Sequence, residues 1–353
     1  MKRSFSGFID VHVHFRDPGV PEAETTESGL AAARRGGFAA VVVMPNTSPA
    51  GDSPEWVRGN LAAGALSSAC ITKGRLGHEV ADLERLSEAG AAFFTDDGSY
   101  VSDDRVMESA MKRSAKLGMT VCEHAMDPKV QKDGVIRKCA LSKRLNLPII
   151  PIAAETTAIR RDLSICRVTG CRLHIQHIST AEGVELVRLA QKEGLPVTAE
   201  ATPHHLLLSC DELVADDANY KMAPPLGNHE DRFELRKAVK DGVLMFATDH
   251  APHPAAKKSQ GFLTSANGII GLEAAIPITY GVMVEDEGMS VEAWARAWHD
   301  LPGRIIAGFD RIEPTLPETQ VEIGVARRIE LASFASRSRN CPYDGLEFDC
   351  FPV

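Results

Sequence analysis

Short apolar, β-branched runs alternate with amphipathic stretches over about the first 250 residues, and that rhythm restricts the chain to architectures built on a parallel sheet. Strands are predicted over Gly7–His14, Phe38–Met44, Ala69–Thr72, Ala91–Thr95, Thr120–His124, Leu173–Ile178, Pro196–Ala201 and Leu244–Thr248. Helices are predicted between them over Glu22–Arg35, Pro54–Leu66, Val80–Glu88, Asp103–Lys116, Thr156–Val168, Ala181–Lys192 and Asp231–Val239. The run Phe38–Met44 is apolar throughout, which suits a parallel strand buried on both faces. An open doubly wound sheet would carry a glycine-rich phosphate turn after its first strand, and none is present. The expected fold class is therefore α/β, a closed (β/α)8 TIM-like barrel over residues 1–301. The remainder, 302–353, is short and weakly patterned, and is expected to be a C-terminal extension of a few strands forming a small β satellite.

The formal net charge of −9 argues against nucleic acid or an anionic membrane as the main partner. No run approaches the roughly 18 apolar residues of a membrane span. Residues 1–8 lack the apolar core of a signal peptide, and the eight cysteines contain no Cys-x-x-Cys pair. This combination reads as reduced thiols in a cytoplasmic protein.

Chemistry gathers where the apolar runs end. His12 and His14 are two apart on a strand and so project side by side, a natural half of a zinc site. His124 ends the fifth strand, His177 the sixth and Asp249 the eighth, while Asp96 and Asp97 end the fourth. Barrel enzymes place their catalytic groups at these strand ends. Four histidines and two carboxylates exceed the four ligands of one tetrahedral zinc, which points to two metals sharing a carboxylate and holding a water of lowered pKa. A further carboxylate must relay a proton to a leaving group, and Asp249 is the best candidate. Just beyond the strands lie Arg16, Asn46 and His253, and the guanidinium fork of Arg16 suits an anionic substrate. His174 is read as structural, and His250 as facing away from the site.

The segments His12-Val13-His14-Phe15-Arg16-Asp17-Pro18-Gly19, Met44-Pro45-Asn46-Thr47, Phe94-Thr95-Asp96-Asp97-Gly98, Gln176-His177-Ile178-Ser179-Thr180, Ala201-Thr202-Pro203-His204-His205-Leu206 and Ala247-Thr248-Asp249-His250-Ala251-Pro252-His253 resemble type I bacterial dihydroorotases of the amidohydrolase superfamily. The resemblance implies zinc, two ions per subunit, on His12, His14, Asp97, His124, His177 and Asp249, bridged by Asp97 and a hydroxide. It implies Asp249 as general acid/base, with Arg16, Asn46 and His253 on the substrate carboxylate. The implied reaction is the reversible cyclisation of N-carbamoyl-L-aspartate to L-dihydroorotate and water in pyrimidine biosynthesis. A small-molecule substrate, a homodimer and association with aspartate transcarbamoylase are the expected partners.

The sequence departs from the family pattern at several points. Ala223 stands where a substrate-binding asparagine is usual, and Asn267 stands where many members have phenylalanine. Asn267, with Gly268, is expected to join the substrate contacts and to compensate for Ala223. The chain is expected to begin at the first barrel strand without the N-terminal sandwich strands of the family, leaving the C-terminal extension as a sandwich remnant. The polar stretch Pro254–Thr264 is expected to be either a mobile lid or an ordinary surface loop. The rival functions are another cyclic amidohydrolase of hydantoinase or allantoinase type, and a catalytically silent subunit that scaffolds aspartate transcarbamoylase.

Overall fold

Six of the eight apolar runs become barrel strands, while 69–72 and 91–95 join the ring through isolated bridges and a short strand forms just ahead of the third run; a separate small sheet brings the strands to ten. In the computed structural model, which describes residues 1–353, these are β1 (Lys2–Phe5), β2 (Phe8–Val13), β3 (Phe38–Val43), β4 (Leu66–Ser67), β5 (Thr120–Glu123), β6 (Arg172–Ile175), β7 (Val197–Ala201), β8 (Met245–Phe246), β9 (Thr319–Arg328) and β10 (Glu347–Pro352). Parallel pairing runs β2-β3-β4 and β5-β6-β7-β8. Between these two groups Phe94 pairs with Ala69 on one side and Val121 on the other. Residues 91–95 thus take the fourth strand position with few ladder bonds: Ala92 N–H donates to Ser67 and Phe94 N–H to Thr120, at 2.8 and 3.1 Å. The ring closes where Val13 pairs with His250 and His14 N–H donates to the His250 carbonyl at 2.8 Å. The result is the expected eight-stranded (β/α)8 barrel.

Local sequence explains how the layers meet. Thr25 and Ser28 form a reciprocal capping box that starts the helix Thr26–Arg35. That helix sits directly on the barrel because Gly29 has no side chain; a Cβ there would lie 2.3 Å from the Phe15 ring. The barrel axis is filled by Ile9, Val11, Val42, Met44, Phe93, Cys122 and Met245. Ile9 and Val11 face inward, yet so do His12 and His14, which strict alternation forbids. The contradiction is resolved by a bulge. Asp10 Oδ1 accepts from His12 N–H at 3.1 Å, and the β2–β3 register shifts between Asp10 and Val13.

The small sheet differs from expectation. Its order is β1-β9-β10, all antiparallel, with Lys2 opposite Glu322 and Phe5 opposite Thr319. It is therefore not formed by the C-terminal segment alone, and the chain does not begin at the first barrel strand. A four-residue strand with half-buried alternate positions carries too little pattern to be seen in isolation; pairing with β9 is what makes it a strand. Residues just after 302 belong with the barrel: Ile305 and Ile306 are buried with Ile9 and Val11, and Ala307 N–H donates to Ala92 at 2.9 Å. All eight cysteines are free thiols, and no helix is long and apolar enough to cross a membrane.

Asp10 also latches the ring. Its Oδ1 accepts from Thr248 N–H at 3.0 Å and its Oδ2 from the Thr248 hydroxyl, tying the first barrel strand to the last. Asp10→Ala leaves these buried donors without a partner and is expected to cost about 2–3 kcal/mol of stability. Urea unfolding should show a lower midpoint at unchanged m.

Candidate metal centre

The six side chains expected to hold metal come together at the C-terminal end of the barrel, carried there by three kinds of strand ending. His12 and His14 follow the Asp10 bulge. Asp97 follows a turn in which Thr95 Oγ1 accepts from Asp97 N–H at 3.0 Å. His177 and Asp249 sit in the left-handed region, at φ 34° and 48°, and so does Arg16 at 57°. These are sparsely populated conformations for residues with a Cβ, and such strain collects at functional sites.

Asp97 occupies the middle of the group. Its Oδ2 lies 3.3 Å from His14 Nε2, and its Oδ1 lies 3.3 Å from His12 Nε2 and 3.6 Å from both His124 Nδ1 and His177 Nε2. Two potential ligand triads result, His12–His14–Asp97 and Asp97–His124–His177, each with its donor atoms within 4.8 Å of one another. Asp249 Oδ1 closes the ring at 3.0 Å from His14 Nε2 and 3.5 Å from His12 Nε2. His12 Nε2 and Asp97 Oδ1 are buried without a hydrogen-bond partner. The ring nitrogens of His124 and His177 face one another at 2.9 Å. Orphaned donor atoms, imidazoles and two carboxylates converging on one point fit a divalent cation of the zinc type.

Electrostatics agree with this fit. Burial opposes a charged ring at His12, but Asp97, Glu200 and Asp249 outweigh it and hold its pKa well above 6.5. Burial also opposes the charged forms of Asp97 and Asp249, yet the surrounding imidazoles keep both carboxyls below the usual carboxylate range. His14 and His124 are pushed down chiefly by burial, with Arg16 adding to the effect at His14. The two carboxylates held as anions thus favour a cation among them.

A cavity of about 300 Å³ opens above this floor, and its wall includes Arg16, Asn46, Ala223, His253, Asn267 and Gly268. All five substrate-type residues singled out in the sequence therefore face one space. His14 Nδ1–H donates to Asn46 Oδ1 at 2.8 Å, which turns the Asn46 NH2 away from that ring. Arg16 is lowered to about 10 and His253 to about 3, both by burial first. The Asn267 side chain is exposed, and its backbone carbonyl accepts from His253 Nε2 at 2.7 Å. A larger groove of about 690 Å³ passes Tyr100 and Arg161, but its guanidinium is already paired with Asp162 at 2.9 Å. Pro254–Thr264, the lid candidate, folds into two short helices around 255–258 and 261–264. Lys258 Nζ holds it by donating to the carbonyls of Lys221, Ala266 and Gly268 at 3.0, 3.0 and 2.8 Å.

Three neighbours of the expected residues take different work. Asp96 turns away and accepts from Ile71 and Thr72 N–H at 2.9 and 3.1 Å, so Asp97 is the inward member of the pair. His250 also turns away, toward Glu24 at 3.3 Å. Glu200 escaped the sequence reading altogether. Its Oε1 meets His12 Nδ1 at 2.5 Å and accepts from His177 N–H at 3.2 Å, while Oε2 meets His174 Nε2 at 2.9 Å. One carboxylate thus orients one ligand ring and fixes the backbone of another. The signal was there: a lone acid at the end of the apolar run Val197–Ala201.

Comparison with known proteins places this geometry in context. The family described as dihydro-orotase-like matches residues 2–183. A dihydroorotase from Carboxydothermus hydrogenoformans is 44% identical over 358 residues, covering 98% of this chain and 83% of its own. One from Geobacillus sp. (strain WCH70) is 39% identical over 364 residues, covering 99% and 84%. Among solved structures, the L-hydantoinase of Arthrobacter aurescens superposes with a TM-score of 0.82 at 23% identity, over 100% of this chain and 83% of its own. The Saccharomyces cerevisiae dihydroorotase in complex with 5-fluoroorotic acid superposes with 0.74 at 16%, over 100% and 98%. The distant structures establish the barrel alone, and the sequence relatives establish the lineage: this chain belongs to the dihydroorotase family.

Proposed function

We propose that this dihydroorotase interconverts N-carbamoyl-L-aspartate and L-dihydroorotate over two zinc ions held by His12, His14, Asp97, His124, His177 and Asp249. The observation that carries the reading is Asp97, shared between two ligand triads on the floor of a cavity whose wall holds Arg16. Zinc bound there supplies Lewis acidity and lowers the pKa of a coordinated water.

The remaining chemistry belongs to the chain. Asp249, kept ionised beside His12 and His14, takes the proton lost by the attacking water. As the ring C–N bond breaks, Asp249 passes that proton to the departing nitrogen; cyclisation runs the same steps backward. Arg16 offers a charged fork to the substrate carboxylate, and Asn46 offers its NH2 because its oxygen is engaged by His14. His253 gives its Nε2–H to the Asn267 carbonyl, which fixes its ring in the cavity wall beside Arg16. Asn267, Gly268 and Ala223 complete the wall. The hydantoinase-type and silent-subunit readings are not favoured, because the relatives at 39–44% identity are dihydroorotases and every ligand position is filled.

Three outcomes are expected. Asp249→Ala should lower kcat in both directions by about 10³-fold, within the range for loss of an acid/base group; interconversion followed by absorbance tests it, and near-normal turnover would sink the assignment. Glu200→Gln should weaken metal binding by about 10- to 100-fold, read by chelator competition, with two equivalents of zinc per wild-type chain. Asn267→Ala should raise KM with little change in kcat if Asn267 compensates for Ala223, and an unchanged KM would remove it from the substrate contacts.

A further inference from the structure

The wall that faces the proposed substrate carboxylate is not held by barrel residues alone. Ala251, His253 and Gly268 come from two separate stretches of chain, and neither lies in a regular strand. Their backbones are joined by one side chain from far away, Asn340. Its Oδ1 accepts from His253 N–H at 3.1 Å, and its Nδ2 donates to the Ala251 and Gly268 carbonyls, both at 3.0 Å. Asn340 is buried, and its own carbonyl accepts from Ile270 N–H at 3.1 Å. Both N–H bonds of the amide and one of the two lone pairs on its oxygen therefore engage the cavity wall.

The segment that presents Asn340 is itself anchored. Ser336 Oγ donates to Glu24, and Arg337 N–H donates to the same carboxylate at 3.1 Å. Glu273 accepts from Ala335 and Ser336 N–H at 2.9 and 3.1 Å, and Ser338 Oγ donates to the Ala23 carbonyl at 2.7 Å. Gly268 adds a steric requirement. At φ 128° it belongs to glycine, and a Cβ would lie 2.6 Å from that of Ala251 and 3.2 Å from His253 Nε2. The two stretches are in close contact, so a small slip between them moves His253 and the Asn267–Gly268 backbone together.

We propose that Asn340 is a positioning residue for substrate recognition: its amide sets the spacing between the 251–253 and 267–268 stretches, and so places His253, whose ring is held by the Asn267 carbonyl, for the substrate carboxylate. The inference rests on the reading of His253 as a carboxylate contact. Asn340 touches no metal-type ligand, so its effect is confined to binding. It also makes the C-terminal segment part of the recognition site, through the stretch that leads into β10.

The test is steady-state kinetics on dihydroorotate and carbamoyl aspartate with zinc-loaded full-length protein. Asn340→Ala should raise KM for both by about 10- to 100-fold while kcat stays within about threefold and zinc content is unchanged. Asn340→Asp keeps the side-chain shape and the acceptor for His253 N–H but sets a carboxyl oxygen against two carbonyls, so it should show the same KM defect in the folded fraction at some cost in stability. In the pair with His253→Ala, the double variant should be little worse than His253→Ala alone. A merely structural role predicts a lower Tm and less active protein at unchanged KM, and that result in both Asn340 variants overturns the proposal. Additive KM effects with His253→Ala overturn it too. If His253→Ala alone leaves KM unchanged, the carboxylate reading itself falls and this inference with it, a failure seen without reference to Asn340.

Discussion

Two carboxylates buried among four imidazoles set the terms for the upper half of this barrel. Asp97 and Asp249 are almost wholly removed from water, and an isolated ionised carboxylate there is prohibitively expensive. Each persists as an anion because positive charge or its equivalent stands within hydrogen-bonding or ligand distance on several sides. The same requirement that makes the cluster unstable as bare charge makes it a receptor for a cation. Packing around it then has to hold six side chains from five strand ends in one geometry.

That geometry is held by a layer of buried acids one step further out. Glu200 fixes His12 and the backbone of His177, Asp10 ties the first strand to the last, and Asp96 ties the fourth strand position to the 71–72 turn. Each is a charged acceptor for two or more buried donors, and such bonds are roughly twice as strong as neutral ones. The left-handed backbone at Arg16, His177 and Asp249 is affordable only inside such a frame, because each residue in that region costs of order 1 kcal/mol or more. Site and scaffold are one hydrogen-bonded body.

The small antiparallel sheet and the segment between its last two strands are joined to this body at two places. Thr319 at the start of β9 accepts from Phe8 N–H at 2.7 Å and donates to the Gly37 carbonyl at 2.8 Å, at the base of the first two barrel strands. At the opposite end of the barrel, the stretch 335–340 runs between Glu24, Glu273 and the cavity wall before the chain turns into β10. A segment with almost no sequence pattern therefore reaches both the foot of the barrel and the substrate side.

Much of this was legible beforehand, and the reasons are physical. Short apolar runs separated by amphipathic helical stretches point to a parallel barrel, and polar residues that end those runs emerge on one face. His12, His14, the Asp96–Asp97 pair, His124, His177 and Asp249 were readable as strand-end groups for that reason, and Arg16, Asn46 and His253 by their position just beyond. Pattern fails where a residue's role depends on what stands opposite. Lys2–Phe5 is a strand only because β9 lies beside it, Glu200 matters only because His12 and His174 fall either side of it, and the Asp10 bulge is invisible to alternation. By itself the sequence determined the barrel and which side chains gather at its strand ends, since periodicity and side-chain chemistry are local properties. Only the tertiary structure decided which carboxylates point inward, which orient others, and that Asn340 bridges two stretches of the cavity wall, because those facts depend on contacts between residues far apart in the chain, 188 positions for His12 and Glu200 and 89 for Ala251 and Asn340.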